Sequence, residues 1–543
     1  MSDKRDLLRN TGLLSALTLL SRLTGLVRDA VIAALLGATR AADVFWIAFE
    51  IPNLARRVLG EGALSSFVVP LFTDRRQREG AEAAWAFLNR SINVIALLTL
   101  GLVAAGMLFA SGVFHVFGGI GMAATAKDAP APTVAAIQAA LAEGASLTRL
   151  MFPYLTALAV ASIAMGACHA LGSFAAPSLG SVVVNLAMIV AGGAALFLGK
   201  EPVVAGRWLA VSVLAGALLR IVIMLPTLVR AGWRWRGELS PADPGVAELF
   251  RMMGAGLFGL SVNQINISIA GILATYLGEG PKTYLVMANR LVQFPMALTA
   301  TAMAVAMLPQ LSGLVLAGED GRLRAVLGFA KRLETVLMTP AALGLIVFAL
   351  PITQLVFERG HWSAEASVGT SIALAFYAPA LLPWGWTRLI VPLYYARRDV
   401  LTPVKAALAA MIVNAGCGAA FVFGTNLAQG GLALASTLAA FANYGWLVWH
   451  LRGDPARPLG EARSAETLAK CALAAAVAVV VAWGLCVGGA RVLGTPTGTL
   501  GRAAYVLAAI AVAGGAYFPL AHGFKVPDAD KAWDLIRRRL TAR

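Results

Sequence analysis

Residues 21–70 read SRLTGLVRDAVIAALLGATRAADVFWIAFEIPNLARRVLGEGALSSFVVP. Two apolar stretches, 11–36 and 42–72, are each long enough to cross a bilayer, which takes about 20 apolar residues. Both nevertheless carry charges: Arg22, Arg28 and Asp29 in the first, and Asp43, Glu50, Arg56, Arg57 and Glu61 in the second. A charge near the bilayer centre costs about 2.5–3.5 kcal/mol on insertion scales. Such side chains are expected to face a hydrated cavity or one another rather than lipid. The first stretch has no small-residue cleavage site after it, so it is expected to stay in the protein as a membrane span.

The rest of the 543-residue chain has the same character. Hydrophobic residues make up 59% and charged residues 13%, with a mean hydropathy of +0.76. Soluble domains are nearer half apolar and a quarter charged. The composition excludes a disordered chain, a disulfide scaffold and an ordinary soluble enzyme, and leaves an all-α, polytopic membrane protein. Fourteen candidate spans follow, at 11–36, 42–72, 91–116, 148–172, 178–199, 206–229, 247–277, 284–313, 330–357, 366–395, 401–424, 430–450, 468–489 and 501–521. The second is the least regular, interrupted by Pro52, Gly60, Gly62 and Pro70. Cys168, Cys417, Cys471 and Cys486 lie in apolar runs without metal-ligand spacing and read as small buried hydrophobes.

The net charge of +16 reads as basic loops facing the cytoplasm, not as a nucleic-acid surface. With the N-terminus inside and the span ends counted with their loops, 28 Lys and Arg fall in inner segments and 9 in outer ones. Both termini are therefore expected to be cytoplasmic, and 522–543 reads as a basic amphipathic tail on the inner surface. Pro153 and Pro177 are spaced like Pro379 and Pro403, which points to an internal duplication. The expected organisation is an N-lobe at 1–229, a C-lobe at 230–450, and a final segment at 451–543 holding two extra helices and the tail.

Seven arginines lie deep within the spans, away from their ends: Arg22, Arg28, Arg56, Arg57, Arg220, Arg290 and Arg388. They face four acids at comparable depth: Asp29, Asp43, Glu50 and Glu61. The surplus positive charge suits an anionic substrate. Guanidinium forks donate paired hydrogen bonds to phosphate oxygens and do not deprotonate, so they suit binding better than proton relay. Asp43, Glu50 and Arg57 are spaced by seven and share one helix face. Asp29, Glu50 and Glu61 read as supporting charges, with a structural salt-bridge ladder as the alternative for Glu50 and Glu61. Gly25, Pro52 and Pro295 are the expected bends. Asn185, Asn263, Gln264, Asn266 and Asn414 read as interhelical glue, with a monovalent cation site as the alternative. No metal, cofactor or catalytic residue is expected.

Residues 21–70 closely resemble the start of the MurJ (MviN) family of lipid II flippases, within the multidrug/oligosaccharidyl-lipid/polysaccharide exporter superfamily. So do FPYLTALAVASIAMGACHALGSFAAPSL (152–179), SVNQINISI (261–269), NRLVQFPMAL (289–298), AMLPQLS (306–312), YYARRDVLTPVK (394–405) and GFKV (523–526). The resemblance implies two lobes around a central cavity, helices 13 and 14 forming a groove for a polyprenyl tail, and alternating access. It implies a lipid II substrate and residence among membrane lipids of the bacterial inner membrane, without enzymatic chemistry. A monomer is expected. It places cavity arginines at Arg22, Arg28, Arg56 and Arg290, an acid at Asp43 and a basic residue at Arg388. Many members read A-D-R-x-x-E-F-P where this chain has the neutral amides Asn289 and Gln293, so the resemblance does not carry an acid-dependent gate or cation coupling over to that helix. The alternatives are a flippase for another polyprenyl-linked glycan and a cation-coupled drug antiporter.

Overall fold

Asp243 and Pro244 show how this chain starts a helix. Asp243 accepts hydrogen bonds from the amides of Gly245 (2.9 Å) and Val246 (3.2 Å), and Pro244 occupies the first helical position of Pro244–Ala274. Ser363 does the same for Ala364–Tyr377, accepting from the Ala366 amide at 3.1 Å. Between such starts lie the long apolar runs, whose described residues are mostly helical. The structure is a computed structural model. It describes residues 2–58, 63–127, 130–299, 307, 311, 313–397, 399–451, 461–493, 498–529 and 533.

The described residues of the fourteen candidate spans are helical apart from short breaks, and the described residues contain no strand. Among them, nine helices are long and apolar enough to cross a membrane, or ten if Asp320–Val347 and Ala349–Phe357 are one broken span. That pair bends by 77°. Pro351 supplies a cause: its ring conflicts with the carbonyl four residues earlier, at Val347, where the first helix ends. The second candidate span is two helices, Arg40–Val58 and Ala63–Arg78. The fourth begins well before its expected start, as Ala131–Met151 followed by Tyr154–Ala170. Most of the expected amphipathic tail lies outside the described residues.

The chain divides into two units, Met1–Thr283 with Arg359–Trp362, and Tyr284–Glu358 with Ser363–Arg543. Pro244–Ala274 belongs with the first unit, because it packs on Arg40–Val58 and Ala63–Arg78. The last two helices, Glu461–Leu493 and Gly498–Gly523, belong with the second unit.

In the first unit, Leu64, Val68, Phe72, Phe87, Leu88, Ile163, Met224 and Leu228 form one buried cluster. Small residues let helices close up there: a Cβ on Gly166 would lie 2.8 Å from the Ser65 carbonyl. The segment 359–362 docks on the end of Ser2–Leu36, where the His361 amide donates to the orphan carbonyl of Ala34 at 2.8 Å. Two left-handed glycines make that approach. Gly37 (φ +62°) and Gly360 (φ +57°) could not carry a Cβ without meeting the His361 and Ala34 carbonyl oxygens at 2.5 and 2.4 Å.

In the second unit, Leu323, Leu327, Ile390, Leu393 and Leu447 form one cluster. Leu333, Val336, Cys471, Ala474 and Tyr517 form another, which seats the last two helices on Asp320–Val347. Ion pairs reinforce the seat: Arg332–Asp528 and Arg502–Glu358, each at 2.8 Å. The four cysteines are free; three are buried and Cys417 is half-buried. Leu98, Val190, Phe197, Ile412, Val480 and Leu507 stand exposed on the apolar helices, as lipid-facing positions must.

Candidate functional site

The charges at membrane depth in the first unit fall into three groups. The first is on Ser2–Leu36. Arg28 donates through Nε (3.0 Å) and Nη2 (2.6 Å) to Asp29 Oδ1, and through Nη1 to Asn185 Oδ1 at 2.9 Å. Asn185 in turn donates to the Ser21 carbonyl (3.1 Å) and to Thr24 Oγ1 (3.2 Å), tying Ala175–Phe197 to Ser2–Leu36. The Arg28 fork is thus oriented by a carboxylate on one side and an amide on the other. Its side chain is 14% exposed and that of Asp29 is 3% exposed. Arg22, six residues earlier, is exposed. The helix runs unbroken through Gly25, where a Cβ would meet Asn185 Nδ2 at an ordinary 3.6 Å.

The second group joins Arg40–Val58 to the turn at 279–283. Asp43 is buried and accepts three hydrogen bonds from two residues: the Gly280 amide reaches Oδ2 (2.7 Å), while the Thr283 amide (2.9 Å) and hydroxyl (2.6 Å) reach Oδ1. These are the donors at the head of Pro281–Leu298, so Asp43 caps that helix from a neighbouring one. Glu50, two turns on, accepts from Lys282 Nζ on Oε2 and from Ser268 Oγ (3.0 Å) on Oε1. Pro52 sits inside the same helix, and Asn53 Nδ2 donates to the Phe49 carbonyl at 2.7 Å beside it. The backbones of Arg56 and Arg57 are helical; their side chains, and Glu61 entirely, lie outside the described residues.

The third group is Arg220, 5% exposed in Pro202–Arg230, with Nη2 3.6 Å from Met165 Sδ. Its stem packs on Gly180, where a Cβ would come within 2.6 Å of Arg220 Cγ. Arg220 is therefore a packed arginine between helices.

In the second unit, Arg290 is half-buried on Pro281–Leu298, one turn before Pro295, and Arg388 is exposed on Leu381–Ala396. Gln293 Nε2 donates to Asn289 Oδ1, so the two amides of Pro281–Leu298 bind each other. Glu334 is fully buried on Asp320–Val347. Its Oε1 accepts from Thr299 Oγ1 at 3.3 Å and its Oε2 has no hydrogen-bond partner among the described residues. Gly385 leaves room for it: a Cβ there would lie 2.5 Å from Oε1. Asn414 accepts from Ser436 Oγ at 3.3 Å, joining Leu401–Gly424 to Ala428–His450 as glue. The described residues hold no cluster of His, Cys, Asp and Glu able to bind a metal.

Sequence reasoning missed Lys282 and Glu334. Lys282 falls two residues short of the span that begins at 284 and so reads as a loop residue. Glu334 lies five residues into its span, at a depth that reads as the membrane edge. In both cases burial by neighbouring helices decides the role, and hydropathy along one chain segment does not register it.

Outside the membrane-spanning stretches, Asp243 gathers two arginines. Arg90 Nη1 reaches Oδ2 (2.7 Å) and Arg75 Nη1 reaches Oδ1 (3.3 Å), while Arg90 Nε also meets Glu238 Oε2 (3.2 Å). Asn89 and Asn93 donate to the carbonyls of Arg234 (3.0 Å), Arg236 (2.7 Å) and Glu238 (2.9 Å), strapping that loop to Ala81–Leu108. Burial pushes the Asp243 carboxyl up, but Arg90, the amides of Val246 and Gly245, and Arg75 outweigh it and hold it below the usual carboxylate range.

The family profile described as "Lipid II flippase MurJ" matches residues 32–490. The chain is 32% identical over 452 residues to a probable lipid II flippase MurJ of Vibrio cholerae, covering 83% of this chain and 84% of that protein. It is 32% identical to the lipid II flippase MurJ of Burkholderia cenocepacia, covering 79% and 80%. Among solved structures, a lipid II flippase MurJ in an inward closed conformation superposes with a TM-score of 0.72 at 20% identity, covering 94% of this chain and 98% of that one. An inward-facing multidrug resistance MATE family transporter of the MOP superfamily gives 0.64 at 14% identity, covering 80% and 95%. At those identities the two structures speak for the fold.

Proposed function

The chain belongs to the lipid II flippase MurJ family, and from that premise we propose that it carries undecaprenyl-pyrophosphate-linked peptidoglycan precursor across the bacterial inner membrane by alternating access. The family match over residues 32–490 carries this reading, and peptidoglycan biosynthesis is the process it serves. The membrane arginines supply the chemistry. Arg22, Arg28, Arg56, Arg57, Arg290 and Arg388 bind the pyrophosphate, because a guanidinium gives a phosphate two parallel donors and keeps its charge in a poorly solvated place.

Arg28 supports the reading best. Its fork is held by Asp29 and Asn185, so little side-chain freedom is lost on binding. An arriving pyrophosphate exchanges with Asn185 or adds to the open side of the guanidinium, and Asp29 tempers the charge so that product can leave. Asp43 holds the head of Pro281–Leu298 and acts through that helix. The sugar–peptide head-group crosses through a hydrated path while the polyprenyl tail stays in lipid. No bond is made or broken, so no catalytic residue is assigned. Both termini lie in the cytoplasm, and the working form is a monomer.

The test is complementation of a strain depleted of its own flippase. The wild-type chain restores growth and rod shape. Arg28→Ala and Arg290→Ala reach the membrane at normal abundance and do not. Full complementation by both variants overturns the arginine assignment. Failure of the wild type, with rescue instead of a strain lacking a flippase for another polyprenyl-linked glycan, reassigns the cargo.

A further inference from the structure

Glu50 and Lys282 form a buried ion pair to which substrate binding gives no task. Asp43 and Glu50 are two turns apart, so both leave the same face of Arg40–Val58. Both end on the turn at 279–283, Asp43 through Gly280 and Thr283 and Glu50 through Lys282. The Lys282 side chain is 5% exposed and that of Glu50 14%. A third helix joins them. Ser268 donates to Glu50 Oε1 at 3.0 Å, and Gly271, one turn on in Pro244–Ala274, forms a notch for the ammonium. A Cβ on Gly271 would stand 2.1 Å from Lys282 Nζ and 3.2 Å from Glu50 Oε2.

An apolar pair of similar volume would hold these helices together at least as well, since buried ion pairs seldom add net stability. What an ion pair adds is register. Smooth apolar faces pack acceptably at several offsets, whereas a carboxylate and an ammonium out of water must meet at one. The three helices joined here include the one that carries Arg56 and Arg57 and the first turn of the one that carries Arg290.

We propose that Glu50 and Lys282 are a positioning pair for translocation, with Gly271 as the notch that admits it. They fix the register of Arg40–Val58 against the head of Pro281–Leu298 and touch no substrate. The proposal rests on the arginine–pyrophosphate reading, because register matters to transport only if the arginines on those helices bind.

The test uses the full chain in cells depleted of their own flippase, at matched membrane abundance. Exposure of lipid II to an external lipid II-degrading toxin is read for Glu50→Gln, Lys282→Met, Gly271→Ala and the double exchange Glu50→Lys with Lys282→Glu. Unfolding midpoints of the purified variants are read alongside. Each single variant is expected to slow exposure on the order of tenfold, as misplaced binding groups do. Gly271→Ala belongs with them although it removes no charge. The double exchange recovers to near the wild-type rate. Single variants at the wild-type rate, a double exchange no better than its singles, or exposure that merely follows the unfolding midpoint in every variant would each overturn the positioning role. Failure of the wild type itself to expose lipid II instead sinks the flippase reading, so the two failures are distinct.

Discussion

At the scale of single residues, the membrane charges do two different jobs. Arg28 keeps a fork oriented by Asp29 and Asn185, whereas Asp43 spends both oxygens on the head of another helix. Removing Asp43 orphans the Gly280 and Thr283 amides in a buried place, which costs about 1–3 kcal/mol. Asp43→Ala is therefore expected to lower the unfolding midpoint of the purified protein, and Asp43→Asn to lower it less, since one carbonyl oxygen remains. Unchanged midpoints in both, with transport lost, would return Asp43 to the substrate. The types of these residues were legible in the sequence: arginine excess at membrane depth is visible without coordinates. Their partners were not. The seven-residue stripe of Asp43 and Glu50 read as one surface facing substrate or as a ladder within its own helix. Its described partners lie on other helices, because a stripe shows direction around an axis and says nothing of what stands opposite.

At the scale of elements, starts and breaks decide the architecture. Asp243 is both the N-cap of Pro244–Ala274 and the acceptor for Arg75 and Arg90. Its carboxyl is held below the ordinary range, so it binds a proton less readily folded than unfolded. Its contribution to stability is therefore complete above the unfolded value of about 3.9 and is lost as pH falls through the lower folded value. Asp243→Asn keeps a competent cap and loses the ion pairs. The variant is expected to melt below wild type at neutral pH, with the gap narrowing below about pH 4 in a series of thermal scans. A gap independent of pH would contradict the ionic role. The glycine pair is sharper still. Gly37→Ala and Gly360→Ala each force a left-handed residue, costing about 1–2 kcal/mol, and push a Cβ into a backbone carbonyl. Both are expected to melt lower than wild type, whereas Gly101→Ala, with open space around it, is not. The apolar runs that form the spans were plain in the sequence, but the 77° break at Phe348 was not drawn, since hydropathy passes smoothly through Pro351.

At the scale of the whole molecule, composition alone gave the class. With 59% of residues hydrophobic, the chain had to be a membrane protein, and nine or ten described helices meet the requirements of length and apolarity. The lobes were harder to draw. Proline spacing suggests halves of six helices; the division by tertiary contacts groups Pro244–Ala274 with the first unit and the last two helices with the second. Contacts such as Glu50–Ser268 and Arg502–Glu358 join segments far apart in the chain, and no local pattern announces them. The bias of Lys and Arg predicts that both termini face the cytoplasm. A C-terminal fusion to an alkaline phosphatase, active only outside, should be silent; an active fusion would reverse the topology.

The central claim is that this chain moves lipid II to the outer leaflet through its membrane arginines. The most direct measurement follows the accessibility of lipid II, in living cells, to an external toxin that degrades it while the protein is depleted. Cleavage is expected to fall as the protein disappears, to return with the wild-type chain, and to stay low with Arg28→Ala. Cleavage that continues at the normal rate without the protein would contradict the account.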